Sequence, residues 1–326
     1  MGSSSPRTAF PEFLAVFREH ADASGTMPFA RFMELALYHP GVGYYRRPKD
    51  RIGYGAGTDF FTASSSGPLF GELVVAACAE LLRTAGCNPA DHTFVELGAE
   101  TRGGVLVGVT HPFASAQTAR VGESISLAGD CIVFSNELFD AQPCVRTVAR
   151  GEQWREIGVR VEQDALIEVE MPSPYREPAA PEGYRFDRPI AAAILADAIA
   201  AQPWRGLFVA FDYGKTLHQL AQETPAGTVR AYFRHAQSND LLAHAGEQDL
   251  TCHICWDWMT DALRRHEFRE CQLEFQESFF VRHASQPIES IAVADAARFS
   301  PRKLALQQLL HPAHLGQKFQ VLHAVR

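Results

Sequence analysis

The chain has 326 residues, of which 46% are hydrophobic and 21% are charged. This balance is typical of a globular protein with a sizeable core, and it excludes disorder of the whole chain. The formal net charge of −8, from 30 basic and 38 acidic residues, argues against a broad face that binds nucleic acid.

The seven cysteines bear on the redox compartment of the protein, and the apolar runs bear on secretion and membrane insertion. An odd number of cysteines in a chain of this size favours reduced thiols, so we expect a cytoplasmic protein. No apolar h-region follows the N-terminus, so no secretory signal is expected. The longest central stretch without charged residues, 103–119, contains His, Pro, Ser, Gln and Thr, so no membrane span is expected either.

The first ninety residues are predicted to be helical. Apolar residues recur at helical spacing over 11–23 and again over 29–38. A Gly- and Ser-rich polar loop follows at 46–67, and it ends at a helix predicted over 68–85. We therefore expect residues 1–90 to form an N-terminal helical cap.

The pattern over 91–326 predicts an α/β domain. Short apolar runs at 93–97, 131–135 and 206–211 are typical of strands buried on both faces of a parallel sheet. Residues 104–109 also suggest a strand. Residues 144–171 alternate instead, which predicts an inserted antiparallel β-meander. Helices are further predicted at 189–202, 256–266 and 301–310, with strands at 250–254 and 318–325.

The segment from Phe94 to Gly104 is the most informative one. A strand that ends in Glu96 and Gly98 is a common way to hold a nucleotide-like cofactor, because glycine lets the backbone approach the ligand. Taken alone the pattern is weak, since a strand that ends in a glycine turn explains it equally well.

Several motifs occur in one order and together are specific. They are FARFMELALYHPGVGYY (29–45), TDFFTAS and PLFGEL (58–73), FVELGA (94–99), SNELFDAQP (135–143), FDYG (211–214), GTVRAYFRH (227–235) and GEQDLTCHI (246–254). In this order they resemble the MidA-like family of class I S-adenosylmethionine-dependent methyltransferases. That family includes the mitochondrial assembly factor for respiratory complex I, which is a protein-arginine methyltransferase.

The resemblance implies a fold, an activity and partners. The fold would be a class I, Rossmann-like methyltransferase sheet with a helical cap. The activity would be methyl transfer from S-adenosylmethionine to an arginine of a protein substrate, with a respiratory-complex subunit as one candidate. Glu96, Gly98, Ala99 and Asn136 would then contact the cofactor, and Glu137 and Asp140 would orient the acceptor.

The cofactor loop departs from the family pattern E-x-G-x-G-x-G. Glu100 replaces the second glycine, unless Glu100 and Thr101 are an insertion and 102–104 is the glycine-rich part. A carboxylate here would repel the carboxylate of the cofactor. The interval from Gly98 to Asn136 is also short, which predicts the loss of one βα unit and of the acidic residue that binds the ribose. Glu123 follows no apolar strand and is a poor substitute.

The loop at 136–141 carries the candidate acceptor carboxylates. Arginine nitrogen is a poor nucleophile, and carboxylates help by holding the guanidinium and accepting its proton. Glu137 and Asp140 have this chemistry. Asp140 would serve equally well in the first turn of a capped helix.

The remaining candidates come from the resemblance and from strand ends. Asp59 and Thr62 would fold over the cofactor, although a surface turn explains them as well. The candidates for the substrate side are Asp212, Tyr213, His235 and Asp249. Cys252 and Cys255 form a lone C-x-x-C, and the 13 histidines show no standard ligand spacing, so we expect no metal.

Two hypotheses from different classes therefore stand. The first is an active protein-arginine methyltransferase, which the NELFDA and DYG loops favour. The second is a pseudoenzyme that has lost the cofactor and acts as a binding or assembly factor, which Glu100 and the short interval favour. The sequence does not indicate the oligomeric state.

Overall fold

The computed structural model describes residues 11–47, 67–99, 104–294 and 300–326. The contacts divide the chain into two units, each made of three segments. The first unit contains Met1–Phe60, Asp140–Ala193 and Lys215–Cys255, and the second contains Phe61–Phe139, Ile194–Gly214 and Trp256–Arg326. This division differs from the predicted one at residue 90, because the helix after Gly67 belongs to the second unit.

The second unit is built on one six-stranded sheet. In spatial order its strands are β15 (Arg269–Phe275), β16 (Gln320–Val325), β9 (Trp204–Asp212), β4 (Gly129–Asn136), β2 (Thr93–Leu97) and β3 (Ser115–Ala119). The strands β9, β4, β2 and β3 are mutually parallel, whereas β16 pairs antiparallel with both β9 and β15. This α/β architecture confirms the predicted methyltransferase-type sheet.

The helices of the second unit follow the predicted order, with two additional ones. They are α3 (Pro68–Thr84), α6 (Trp256–Arg264), α7 (Gln276–His283), α8 (Ser285–Ala294) and α9 (Pro301–Leu310), while α4 (Ile190–Ala200) spans the boundary between the units. The core contains a cluster of aromatic rings in which Phe70 of α3 lies 5.5 Å from Phe211 and 5.9 Å from Phe280. These contacts fix α3 and α7 on the sheet.

The connection from β2 to β3 corrects one prediction. Residues 104–109 form a turn and not a strand, and no helix is present in the described part of the connection, 104–114. Leu106 is buried and Val105 and Val109 pack on the same core, so their apolar character serves packing and not a sheet. The strand beside β2 lies instead at Ser115–Ala119, which the sequence analysis missed.

The first unit contains two α-helices before the β-meander. They are α1 (Pro11–His20) and α2 (Phe29–Tyr38), and their buried Phe13 and Phe32 rings meet edge to face at 5.8 Å. A third, short helix, α5 (Leu217–Gln222), begins at a capping box. The side chain of Thr216 accepts the backbone N–H of Gln219, and the side chain of Gln219 accepts the backbone N–H of Thr216.

The predicted β-meander is present in the first unit. It consists of β5 (Val145–Arg150), β6 (Gln153–Glu162) and β7 (Ala165–Pro172), joined in one antiparallel sheet by β1 (Thr26–Pro28) and β8 (Arg185–Arg188). A smaller antiparallel sheet contains β11 (Arg230–Phe233), β12 (Ala236–Ser238) and β13 (Asp249–Thr251). The shortest strands are β10 (Gly214–Lys215) and β14 (Ile254–Cys255).

A buried ion pair ties the meander to the segment after α5. Arg146 on β5 donates from Nε to Asp187 Oδ1 at 3.0 Å and from NH1 to Glu168 at 2.7 Å. Burial alone would lower the pKa of the Arg146 guanidinium, but the attraction of Asp187 and Glu168 outweighs it and raises that pKa. Asp187 also accepts the backbone N–H groups of Thr228 and Val229.

Across the described residues, no helix combines the length and the apolar character that crossing a membrane would need.

Candidate functional site

The candidate site of the second unit lies at the carboxyl ends of β2, β4 and β9. Leu97 pairs with Ser135, and Asn136 pairs with Phe211, so the three strands end at nearly the same level. Open α/β sheets bind ligands at this edge. The topology therefore places the loops that begin at Gly98, Glu137 and Tyr213 side by side.

Gly98 provides the close approach that its position predicted. Its φ of +76° is accessible to glycine with little strain, and its N–H donates to Ala119 O at 2.8 Å. A Cβ at this position would lie 2.9 Å from Leu138 Cδ1. The loops after β2 and β4 are thus in contact at Gly98, and the next residue, Ala99, is buried.

Glu96 is buried on β2 and holds the returning chain. Its Oε2 accepts the N–H of Val105 at 2.6 Å. Burial raises the pKa of Glu96 from its ordinary value of 4.5 to about 7, although the hydrogen bond from Val105 acts in the opposite direction. A Cβ at Gly104 would collide with the same carboxylate. Glu96 therefore shapes the loop that begins at Gly98.

The raised pKa of Glu96 predicts a loss of stability as the pH rises. Since the unfolded chain releases this proton near pH 4.5 and the folded chain near pH 7, the penalty is absent below pH 4.5 and grows up to pH 7. The shift corresponds to about 3 kcal/mol. Glu96→Gln still accepts the Val105 N–H but does not titrate. Urea unfolding at pH 5 and pH 8 should show the variant gaining about 2 to 3 kcal/mol relative to the parent, and an equal pH response of both proteins would refute this assignment.

Glu137 has a strained backbone at the end of β4. Its φ of +53° is unusual for a residue with a Cβ and costs of the order of 1–3 kcal/mol. Its N–H donates to Phe211 O on β9 at 3.0 Å, and Asn136 Nδ2 donates to its Oε1 at 3.2 Å. Strand β9 therefore holds the backbone of Glu137, and Asn136 at the end of β4 contacts its carboxylate.

Asp212 holds the same loop from the end of β9. It is completely buried, its Oδ2 accepts the N–H of Phe139 at 2.9 Å, and its Oδ1 accepts the N–H of Tyr213 at 2.8 Å. Both carboxylate oxygens thus bind backbone N–H groups. This geometry fits a positioning role for Asp212 in the loop that carries Glu137, and its predicted place on the substrate side stays a prediction.

Two buried polar atoms at this edge have no hydrogen-bond partner among the described residues. They are Ser135 Oγ and Asn136 Oδ1, on the last two residues of β4. Buried polar atoms are nearly always satisfied in native structures. An unsatisfied pair beside the Gly98 loop therefore fits a polar ligand that completes the site.

Two further predicted residues, Asp140 and Tyr213, make contacts of their own. The division between the units falls between Phe139 and Asp140, and buried Asp140 accepts Cys252 N–H on its backbone oxygen at 2.8 Å. Tyr213 belongs to the second unit, where its ring lies 4.2 Å from the Phe319 ring.

His235 and Asp249 belong to the small sheet of the first unit. His235 is exposed in the turn between β11 and β12, with a φ of +64°. Asp249 is buried on β13, and its Oδ1 accepts Tyr45 Oη–H at 2.9 Å and its neighbour's N–H. Asp249 is thus hydrogen-bonded to the segment that follows α2, and its predicted place on the substrate side stays a prediction.

Three predicted residues lie outside the described part of the chain: Asp59, Thr62 and Glu100. The thiols of the C-x-x-C are buried in the first unit, where Cys252 contacts Thr228 Oγ1 at 3.4 Å.

Glu123 requires a new interpretation. The sequence predicts that Glu123 is a poor substitute for the ribose-binding acidic residue, because no apolar strand precedes it. In the structure, however, the polar strand β3 ends only four residues before Glu123 and pairs with β2. Its carboxylate accepts the N–H of Arg120 at 2.7 Å. Because β3 is an exposed edge strand, its sequence lacked the apolar signal that would have revealed it.

The comparisons with known proteins agree with this geometry. Residues 115–273 match the profile of a family described as "Putative S-adenosyl-L-methionine-dependent methyltransferase". No curated protein matches the chain in sequence. A crystal structure from Burkholderia thailandensis with S-adenosyl-homocysteine bound has a TM-score of 0.84 and 24% identity, over 97% of this chain and 92% of that one. A native structure of an uncharacterized protein from the same organism has a TM-score of 0.80 at the same identity and coverage.

These structures share the fold over nearly the whole chain, and the family profile covers the segment from β3 to β15. The profile match and the shared fold support the resemblance to the MidA-like S-adenosylmethionine-dependent methyltransferases that the motifs indicated.

Proposed function

We propose that the protein transfers a methyl group from S-adenosylmethionine to a guanidinium nitrogen of an arginine in a protein substrate. The match of residues 115–273 to the methyltransferase profile supports the methyl transfer. The observation that carries the proposal is Glu137, whose carboxylate follows β4 on a strained backbone with φ +53°. Strain of this kind persists where the surroundings enforce it and is concentrated at functional sites.

The residues at the edge of the sheet fit the cofactor. Gly98 leaves room for a ligand to approach the backbone, and Ser135 Oγ and Asn136 Oδ1 offer polar atoms that have no partner among the described residues. Ala99 would pack against the ligand. Glu123 beyond β3 would accept the ribose hydroxyls, which is the role that the sequence left vacant. When bound, the cofactor supplies an electrophilic methyl group on a sulfonium sulfur.

The acceptor side uses carboxylates. In this proposal Glu137 forms a charge-assisted pair with the guanidinium and accepts its proton during the transfer, and Asp140 is the second carboxylate of the same loop. Asp212 keeps the loop in place through the N–H groups of Phe139 and Tyr213. The net charge of −8 suits a cationic, arginine-bearing partner.

The family resemblance suggests a class of substrate protein. A subunit of a respiratory complex is one candidate protein, and Tyr213, His235 and Asp249 remain candidates for contacts with it. Because His235 is exposed on a turn of the first unit, it is accessible to a large partner.

A non-catalytic binding or assembly factor is the second candidate function. It is favoured by the connection after β2, which contains no helix over its described part, 104–114, and by Glu100 in the sequence of that loop. A protein of this class would keep the acceptor loop and bind the partner without the cofactor.

Substrate identity is tested with radiolabelled S-adenosylmethionine and arginine-bearing proteins from respiratory complexes, followed by mass spectrometry of the modified residue. We expect methylarginine in the presence of the parent protein, formed with Glu137→Gln at about 1% of the parent rate or less. Peptides in which the modified arginine is replaced by lysine serve as a matched control. Methylation of the lysine peptides at an equal rate would refute the arginine assignment while leaving methyl transfer intact.

A further inference from the structure

Three metal-ligating side chains converge in the second unit, and none of them belongs to the candidate site described above. Glu274 lies on β15, His283 is the last residue of α7, and His323 lies on β16. Nε2 of His323 is 3.0 Å from Glu274 Oε1, and Nε2 of His283 is 3.1 Å from the same oxygen. One ligand atom from each residue lies within 4.8 Å of the others.

The fold brings these residues together by register and not by sequence spacing. Gln272 pairs with His323 and Glu274 pairs with Val321, so Glu274 and His323 are diagonal neighbours on one face of the antiparallel pair. Helix α7 follows β15 directly and places His283 over that face. The Phe279 ring packs 5.2 Å from the His283 ring and 5.5 Å from the His323 ring, which fixes both imidazoles.

The cluster is shielded from water. The side chains of His323 and Glu274 are 5% and 7% exposed, and that of His283 is 14% exposed. Glu274 Oε2 is buried without a hydrogen bond among the described residues, although Arg282 NH1 lies 3.0 Å away as an ion partner. A buried carboxylate with this geometry has the capacity to coordinate a cation.

We propose that Glu274, His283 and His323 form a binding site for a divalent transition-metal ion, with zinc as the best fit. Two imidazole nitrogens and one carboxylate oxygen are a common zinc set, and a fourth position would remain for water. Two ligands about 2.05 Å from a tetrahedral ion are about 3.3 Å apart, which is close to the 3.0 and 3.1 Å that separate Glu274 Oε1 from the two histidine nitrogens. The ion would clamp β15, β16 and α7 together.

Arg282 is the group that opposes a cation here. Its side chain is 61% exposed, so the guanidinium can move into water when an ion arrives. Without a metal, Glu274 is held by Arg282 and by hydrogen bonds from the two histidines. Replacement of Arg282 by glutamine removes the competing positive charge, so Arg282→Gln should bind zinc more tightly than the parent.

The test uses the full chain, freed of metal with a chelator and titrated with Zn²⁺ by calorimetry and with Co²⁺ by visible spectroscopy. We expect one ion per chain and cobalt bands of a low-symmetry four-coordinate site. His323→Gln and His283→Gln should each weaken binding by about tenfold or more, and zinc should raise the melting temperature of the parent by more than that of either of these two variants. His266→Gln is the matched control, because His266 also contacts an aspartate, Asp197, that pairs with an arginine.

Circular dichroism must show that each variant is folded. If His323→Gln does not fold, His283→Gln provides a second variant, because His283 is the more exposed of the two histidines. The proposal is overturned if the parent takes up no zinc at micromolar concentration. It is equally overturned if uptake survives both histidine substitutions and disappears instead with the surface pair His311 and His314, whose rings lie 5.1 Å apart.

Discussion

Glu137→Gln is expected to lower the rate of methyl transfer by about 10²–10⁴-fold, the usual contribution of a general base. Glutamine preserves the shape of the side chain and the backbone N–H that donates to Phe211 O, so the loop keeps its conformation. What is lost is the negative charge that pairs with the guanidinium and accepts its proton. Single-turnover assays with saturating cofactor measure this step directly.

Two further variants separate chemistry from folding. Glu152→Gln removes an exposed carboxylate from the turn between β5 and β6, so its rate should equal that of the parent. Glu137→Gly removes the strain at φ +53° and should be more stable by about 1 kcal/mol while it is equally inactive. A rate for Glu137→Gln within about threefold of the parent would exclude the proton-accepting role.

Asp187→Ala should destabilise the protein by about 3–5 kcal/mol, the cost of leaving a buried charge without its partner. Asp187 accepts Arg146 Nε at 3.0 Å and the N–H of Val229 at 2.9 Å, and it also accepts Thr228 N–H. Its removal leaves Arg146 Nε and two backbone donors without their partner inside the first unit, while Arg146 NH1 keeps its pair with Glu168. Urea or thermal unfolding gives the free energy difference.

The control for Asp187 is Glu162→Ala on the exposed end of β6, whose pair with Arg160 should contribute less than about 1 kcal/mol. Gly227→Ala probes the same buried network, because a Cβ at Gly227 would collide with the Asp187 carboxylate. Its cost should fall when Asp187 is already alanine. Strictly additive losses, or a loss below about 1 kcal/mol for Asp187→Ala, would contradict the account of this network.

The sequence correctly predicted the strands that are buried on both faces. The apolar runs at 131–135 and 206–211 lie within β4 and β9, and the alternating stretch at 144–171 is the meander. It failed where composition and structure diverge. The polar sequence of β3 belongs to an exposed edge, and the apolar turn at 104–109 covers the core without joining the sheet.

Candidates for the site could be chosen in part because strand ends are visible in sequence, and their roles stay predictions. Glu96, Gly98 and Asn136 could be chosen from their positions after apolar runs. Two other contacts could not be predicted, because they join residues that are distant in sequence. They are the hydrogen bond from Phe139 N–H to Asp212 and the ion pair between Arg146 and Asp187. The same holds for Glu274, His283 and His323, whose spacing matches no ligand motif.

Cofactor binding is the central claim, and calorimetric titration of the purified protein with S-adenosylmethionine tests it most directly. We expect saturable heat with the parent and with Glu137→Gln, and none with Gly98→Trp. At Gly98, φ is +76° and a Cβ would already lie 2.9 Å from Leu138 Cδ1, so an indole would block the space that the cofactor needs. A folded parent protein that gives no saturable heat at about 1 mM cofactor would contradict the account and leave the non-catalytic binding factor as the function.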